Sequence, residues 1–246
     1  MIPLRDNVPR VTLPITVSVI IMLNAFAFGF ELLMDPRSKV ELFHLFGVVP
    51  QRFLDSDWAH WVGYPEASII PFFTYMFLHS GWLHVILNMW MLWIFGDNIE
   101  DVTGHFGFVF FYVACGLAAV GAHMLAETGS SVPVIGASGA VAGVMGAYLV
   151  LYPHGKVYTL FPILIIPIIL RVPSVFFLGF WFLSQFFAGI FSVVNGSAQP
   201  VAWWAHVGGF VTGILLISLF RGRGRCKYCY NRRSKNYDIP VEDKLR

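Results

Sequence analysis

Apolar residues along this chain come in long, nearly uncharged blocks separated by short polar stretches. Blocks of 17 or more such residues predict membrane-spanning helices, and six are legible: about 13–34, 72–95, 105–126, 136–152, 174–194 and 202–220. A seventh apolar run, 157–170, is only about 14 residues long and is broken by Pro162 and Pro167. Such a run reads as re-entrant or interfacial rather than spanning. Residues 35–69 have another texture, with Asp35, Arg37, Lys39, Glu41, Arg52, Asp55, Asp57 and Glu66 set among Phe43, Phe46, Phe53, Trp58 and Trp61. Charges interleaved with aromatics predict a structured loop at the membrane–water boundary. Asp97, Glu100, Asp101 and Gly104 mark the loop after the second span. The expected fold class is an all-α polytopic membrane protein with six transmembrane helices.

Composition agrees. Of 246 residues, 57% are hydrophobic and 12% charged, against about 25% charged in a soluble domain. Positive charge collects at one end, in Arg221, Arg223, Arg225, Lys227, Arg232, Arg233 and Lys235. The positive-inside rule sends that tail to the cytoplasm, and six spans bring the N-terminus, with Arg5 and Arg10, to the same side. The expected organisation is a cytoplasmic N-terminus (1–12), a membrane domain (13–220) with an external interfacial loop (35–69), and a basic cytoplasmic tail (221–246), in a prokaryotic plasma membrane. No cleavable signal pattern stands out. Cys115 sits in an apolar run, and Cys226 and Cys229 in the tail are half of a four-ligand zinc site at most. No metal or cofactor is expected, and the tail's charge needs no nucleic acid to explain it.

Polar groups inside spans are costly and mark candidate chemistry. Ser138 opens the fourth span within Gly136-Ala-Ser-Gly139, and His206 opens the sixth. His84 and Asn88, at i and i+4, share a face of the second. A serine hydroxyl becomes a useful nucleophile when a neighbouring base accepts its proton, and neutral histidine is the usual base. The pair can meet only if 157–170 does not cross the membrane, since otherwise His206 would begin on the opposite side. His84 and Asn88 come out deeper than Ser138 unless the second span starts later than residue 72. Gly139 and Gly209 would let the fourth and sixth helices approach closely. Acyl transfer also needs donors aimed at a developing oxyanion; the Ser138 N–H, Asn88 amide and His84 ring are available.

Together, Gly136-x-Ser138-Gly139, Ala205-His206-x-x-Gly209-x-x-x-Gly213 and His84-x-x-x-Asn88 resemble the rhomboid family of intramembrane serine proteases, over about residues 72–220. The resemblance implies Ser138 as nucleophile, His206 as general base and acid, and His84, Asn88 and the Ser138 N–H as the oxyanion hole. Gly136, Gly139, Gly209 and Gly213 are expected to pack the helices at the site. Substrates would be transmembrane proteins, cut where their helices unwind, and the fifth span, with Phe176, Phe177, Phe180, Trp181 and Phe182, would be the lateral gate. Two positions depart from the pattern. Ile70-Pro71 stands where many rhomboids have Trp-Arg, and Ala142 where some have a tyrosine against the catalytic histidine, which leaves Phe210 or a second-span residue to hold that ring. The alternatives are a non-catalytic rhomboid-like binder of membrane helices, which needs neither Ser138 nor His206, and a transporter, which predicts intramembrane carboxylates scarce here.

Overall fold

The computed structural model describes residues 1–66, 68–163, 166–195, 201–220 and 229–238. Its elements in chain order are β1 (Ile2–Arg5), α1 (Ile15–Leu32), α2 (Pro36–Phe46), α3 (Pro50–Leu54), α4 (Ser56–Val62), α5 (Pro71–Thr74) with a following 3₁₀ turn, α6 (Trp82–Thr103), α7 (His105–Ala126), α8 (Ser138–Leu151), β2 (Lys156–Ile163), β3 (Ile166–Pro173), α9 (Ser174–Asn195), α10 (Trp203–Phe220), β4 (Cys229–Asn231) and β5 (Asn236–Asp238). The architecture is that of a helical multi-pass membrane protein. Among the described residues four helices, Ile15–Leu32, His105–Ala126, Ser174–Val194 and Trp203–Phe220, are long and apolar enough to cross a bilayer. The expected count of six would add α6, which carries acids near its C-terminal end, and α8, which at 14 residues is short.

Helix α8 is the centre of the bundle. Every residue from Gly139 to Tyr148 is buried, and α10 lies along it almost backbone to backbone. A side chain at Gly209 would run into the Gly139 carbonyl, and one at Gly213 into that of Gly143. Small residues permit this approach. Helix α7 closes another side, with Cys115 against Gly143 and Ala119 against Gly139.

The second span differs from the expected 72–95. Pro71 opens the short α5, and His79-Ser80-Gly81 interrupts the apolar run, so α6 begins only at Trp82. The same helix continues to Thr103 and absorbs Asp97, Glu100 and Asp101, expected in a loop. These acids stay in the helix because they serve α1. Glu100 accepts the Thr16 and Val17 N–H groups at 2.8 and 2.9 Å, and Asp101 accepts those of Val11 and Thr12 at 2.9 and 2.8 Å. Donors at a helix start that lack intrahelical partners are thus capped from another helix.

Residues 157–163 and 166–170 form neither a re-entrant helix nor a span. They lie in an antiparallel hairpin, β2–β3, to which β1 adds a third strand in the order β1-β2-β3. Lys156 pairs with Pro173, so the hairpin returns the chain to its starting level. The expected 35–69 loop is ordered as α2–α4. Arg52, buried, donates to the His44 and Leu45 carbonyls at 3.2 and 3.1 Å, anchoring the loop without a Trp-Arg pair. A bridge from Val48 to Val134 then ties it to the segment leading into Ser138. In the basic tail, Cys226 lies outside the described residues; β4 and β5 pair as a small hairpin.

Candidate active site

Ser138 is the first residue of α8 and His206 the fourth of α10. The glycine contacts between these helices bring the side chains together: His206 Nε2 is 2.8 Å from Ser138 Oγ. Ser138 N–H, at a helix start, has no intrahelical acceptor and points where the first turn's dipole favours negative charge.

The other ring nitrogen identifies the tautomer. His206 Nδ1 is 2.7 Å from Gln185 Oε1 on α9. Gln185 Nε2 donates to Ser184 Oγ at 2.9 Å, and the Ser184 hydroxyl donates to the Trp181 carbonyl at 2.6 Å. A carbonyl can only accept, so every donor along this chain points the same way. Nδ1 therefore carries the proton and Nε2 offers its lone pair to the Ser138 hydroxyl. The ring is flanked by Trp181, with centroids 5.9 Å apart, and by Trp203 at 6.1 Å, nearly perpendicular. Neither Phe210 nor a second-span residue holds it, as the sequence had suggested; Phe210 stacks instead on Phe182 at 4.7 Å. Ala142 is buried inside the seam.

The late start of α6 lifts His84 and Asn88 to its first two turns, level with Ser138. Ser80 N–H and Oγ lie 3.4 and 3.1 Å from His84 Nδ1. An N–H can only donate, so Nδ1 accepts and the neutral ring carries its proton on Nε2. That Nε2 lies 2.5 Å from where a Cβ on Gly136 would stand, with Asn88 Nδ2 at 3.5 Å. Gly136 is thus not a helix-packing residue: it precedes α8 with φ +113, a conformation that favours glycine, and it leaves room for these donors. Gly139, Gly209 and Gly213 do pack helices. Asn88 Nδ2 also donates to His79 Nε2 at 3.0 Å, while His79 Nδ1 faces the Phe77 carbonyl at 3.3 Å and His79 N–H donates to Glu31. His79 thereby fixes which way the Asn88 amide turns.

These groups line one cavity of ≈ 880 Å³ that reaches from α6 to α9 and includes Ser138, His206, His84, Asn88, Trp181 and Gln185. Among the described residues no cluster of His, Cys, Asp and Glu has the make-up of a metal site. The fifth span's aromatics divide. Phe176 and Phe180 are exposed, Phe177 is buried against Phe95, and Trp181 turns toward His206. Sequence reasoning missed Gln185, although a lone amide inside an aromatic span is itself a signal of function.

Comparison with known proteins accords with this geometry. The chain matches the Rhomboid domain family over residues 66–223. It is 30% identical over 152 residues to Rhomboid-like protein 11, chloroplastic, of Arabidopsis thaliana, covering 60% of this chain and 51% of that protein. It is 30% identical over 148 residues to Rhomboid protein 1, mitochondrial, of Saccharomyces cerevisiae, covering 56% and 38%. The human presenilin-associated rhomboid-like protein, mitochondrial, is 29% identical over 101 residues, 39% of this chain and 27% of that protein. The matched stretches thus span about half or less of these relatives. With more than half of its length matching the family, including the helices that carry Ser138, His206, His84 and Asn88, the chain belongs to the rhomboid family.

Proposed function

We propose that this chain is an intramembrane serine endopeptidase that hydrolyses peptide bonds in or next to transmembrane segments of membrane proteins. The observation that carries this reading is the 2.8 Å contact between His206 Nε2 and Ser138 Oγ, in the tautomer required of a base. Ser138 Oγ attacks the substrate carbonyl as His206 takes its proton. Negative charge on the carbonyl oxygen meets the Ser138 N–H, the His84 Nε2–H and the Asn88 amide. His206 then returns the proton to the leaving amine, and water releases the acyl group by the reverse sequence. Gln185 is a positioning residue: it touches neither substrate nor nucleophile and keeps the His206 proton on Nδ1. The substrate enters from the bilayer between α6 and α9, where the cavity wall is largely apolar side chains. In this reading all six spans cross the membrane, with both termini cytoplasmic, in a prokaryotic plasma membrane.

The test is cleavage of a model transmembrane substrate by the purified chain in liposomes. Ser138→Ala and His206→Ala should each reduce turnover to background. A fluorophosphonate probe should label Ser138 in the wild type and fail in His206→Ala. Persistent cleavage by Ser138→Ala overturns the mechanism. Absence of both cleavage and labelling in the wild type would favour a non-catalytic binder of membrane helices.

A further inference from the structure

The β1–β3 sheet is unexpected in a helical membrane protein, and its two faces differ. Strand residues alternate between faces. One face carries Val157 and Thr159, both fully buried, together with Pro3, also buried. The other carries Tyr158 and Leu160, and the register extends each of them into a cross-strand row. Arg5, Tyr158 and Arg171 form the row nearest the base; Ile2, Leu160 and Ile169 form the next; Pro162 and Pro167 follow toward the tip.

Rows lie about 7 Å apart, so this outward face is graded along the strands rather than across them. At the base the Arg5 and Arg171 guanidinium groups sit 4.7 and 5.3 Å from the Tyr158 ring centre. Beyond that row every outward residue is apolar, and Ile2 and Ile169 are exposed; on the opposite face, beyond the part covered by the helices, Ile166, Ile168 and Leu170 of β3 are exposed as well. Water would not favour such a patch. A bilayer would. An aromatic ring between two cations suits the headgroup level, and Ile and Leu suit the acyl chains above it.

The sheet's attachment fixes its height. Trp90 Nε1 on α6 donates to the Pro3 carbonyl at 2.6 Å. Trp90 lies seven residues, about 10 Å, further into the membrane than Asp97 on the same helix. The exposed rows are therefore continuous with lipid-facing side chains already on the surface, Trp90 and Trp93 of α6 and Val175 and Phe176 of α9. Sheet edges in lipid are penalised for their free N–H groups; Pro3 on one edge strand and Pro167 on the other each remove a donor.

We infer that the β1–β3 sheet inserts its outward face into the leaflet on the N-terminal side of the membrane, with Arg5 and Arg171 on the lipid phosphates. The occupant of this surface is the bilayer itself. The sheet thereby anchors the N-terminus and the α8–α9 connection to the same leaflet, independently of whether the chain cleaves anything.

The experiment uses the full chain with Cys226 and Cys229 replaced by serine and buried Cys115 retained. An environment-sensitive NBD label is placed singly at Ile169→Cys, at Ile2→Cys and, as an exposed site outside the sheet, at His154→Cys. The variants are reconstituted in phosphatidylcholine–phosphatidylglycerol vesicles. Labels at 169 and 2 should emit to the blue of the label at 154, should be quenched by nitroxide-bearing lipid, and should resist aqueous iodide. Replacing Arg5 and Arg171 with glutamine should weaken that lipid quenching. Water-like emission and iodide quenching at 169 and 2 overturn the inference. So does energy transfer between labelled copies that rises with protein density while lipid quenching is absent, which would make this face a contact between copies. Two labels in one row guard against a local defect, since disagreement in their depth also overturns the inserted sheet.

Discussion

Helices α10 and α9 join the bundle around α8 on different principles. Against α10 the contact is backbone to backbone, made by glycines that admit no side chain. Helix α9 instead packs through aromatic side chains, Trp181 against His206, Phe182 on Phe210 and Phe177 by Phe95, while Phe176, Phe180, Leu183, Phe187 and Phe191 of that helix are exposed. Ser138 and His206 belong to the tight seam, whereas Gln185 and Trp181, which contact the His206 ring, belong to α9. The distance from Ser138 to His206 is thus set by the close packing of α8 and α10. The tautomer and ring orientation depend on α9, which contributes nothing to the glycine seam.

The largest effect should come from the seam. Gly209→Val drives a side chain into the Gly139 carbonyl; overpacking of a tight contact costs about 1–3 kcal/mol, and here it also parts Ser138 from His206. Thermal unfolding in detergent should fall by several degrees, and probe labelling of Ser138 should disappear. On the α9 side, Gln185→Ala should leave thermal stability within about 0.5 kcal/mol of wild type. It should lower kcat about ten-fold with KM little changed, because the proton is no longer held on Nδ1. A loss of folding in Gln185→Ala would erase the distinction between the two helices. Phe180→Ala, on the lipid side of α9, should change stability by less than either.

The smallest effect lies at the far end of α8, where Tyr148 donates to Asp6 of the N-terminal segment at 2.5 Å. Burial pushes the Asp6 carboxyl up to about 6 from 3.8, outweighing the hydrogen bond from Tyr148, which lowers it. The folded chain therefore holds this proton more tightly than the unfolded chain. The resulting stabilisation is present at low pH and is lost as pH rises from about 4 through about 6. Unfolding temperature should decline across that window in the wild type and be flatter in Asp6→Asn.

What could be read from the sequence follows from how far each determinant reaches. Apolar blocks mark α1, α7, α9 and α10 closely because a run of that length has one stable form in lipid. The serine, the histidine and the glycines between them were legible because each carries its chemistry in its own residue type. The start of α6 was obscured because His79-Ser80-Gly81 lies between two apolar runs that merge into one block. The 157–170 hairpin is set by two prolines that pair across it and by a strand some 155 residues earlier in the chain, which no local window contains. Gln185 escaped because its role exists only once α9 lies beside α10.

The capping of α1 by α6 also sets a timetable. The carboxylates that receive the Thr16 and Val17 N–H groups are made some 84 residues after the helix they serve. A nascent chain that has just delivered α1 to the membrane has none of those acceptors. Capping of α1 waits until Glu100 and Asp101 have been synthesised. For this helix the order of synthesis and the order of settling into place therefore differ.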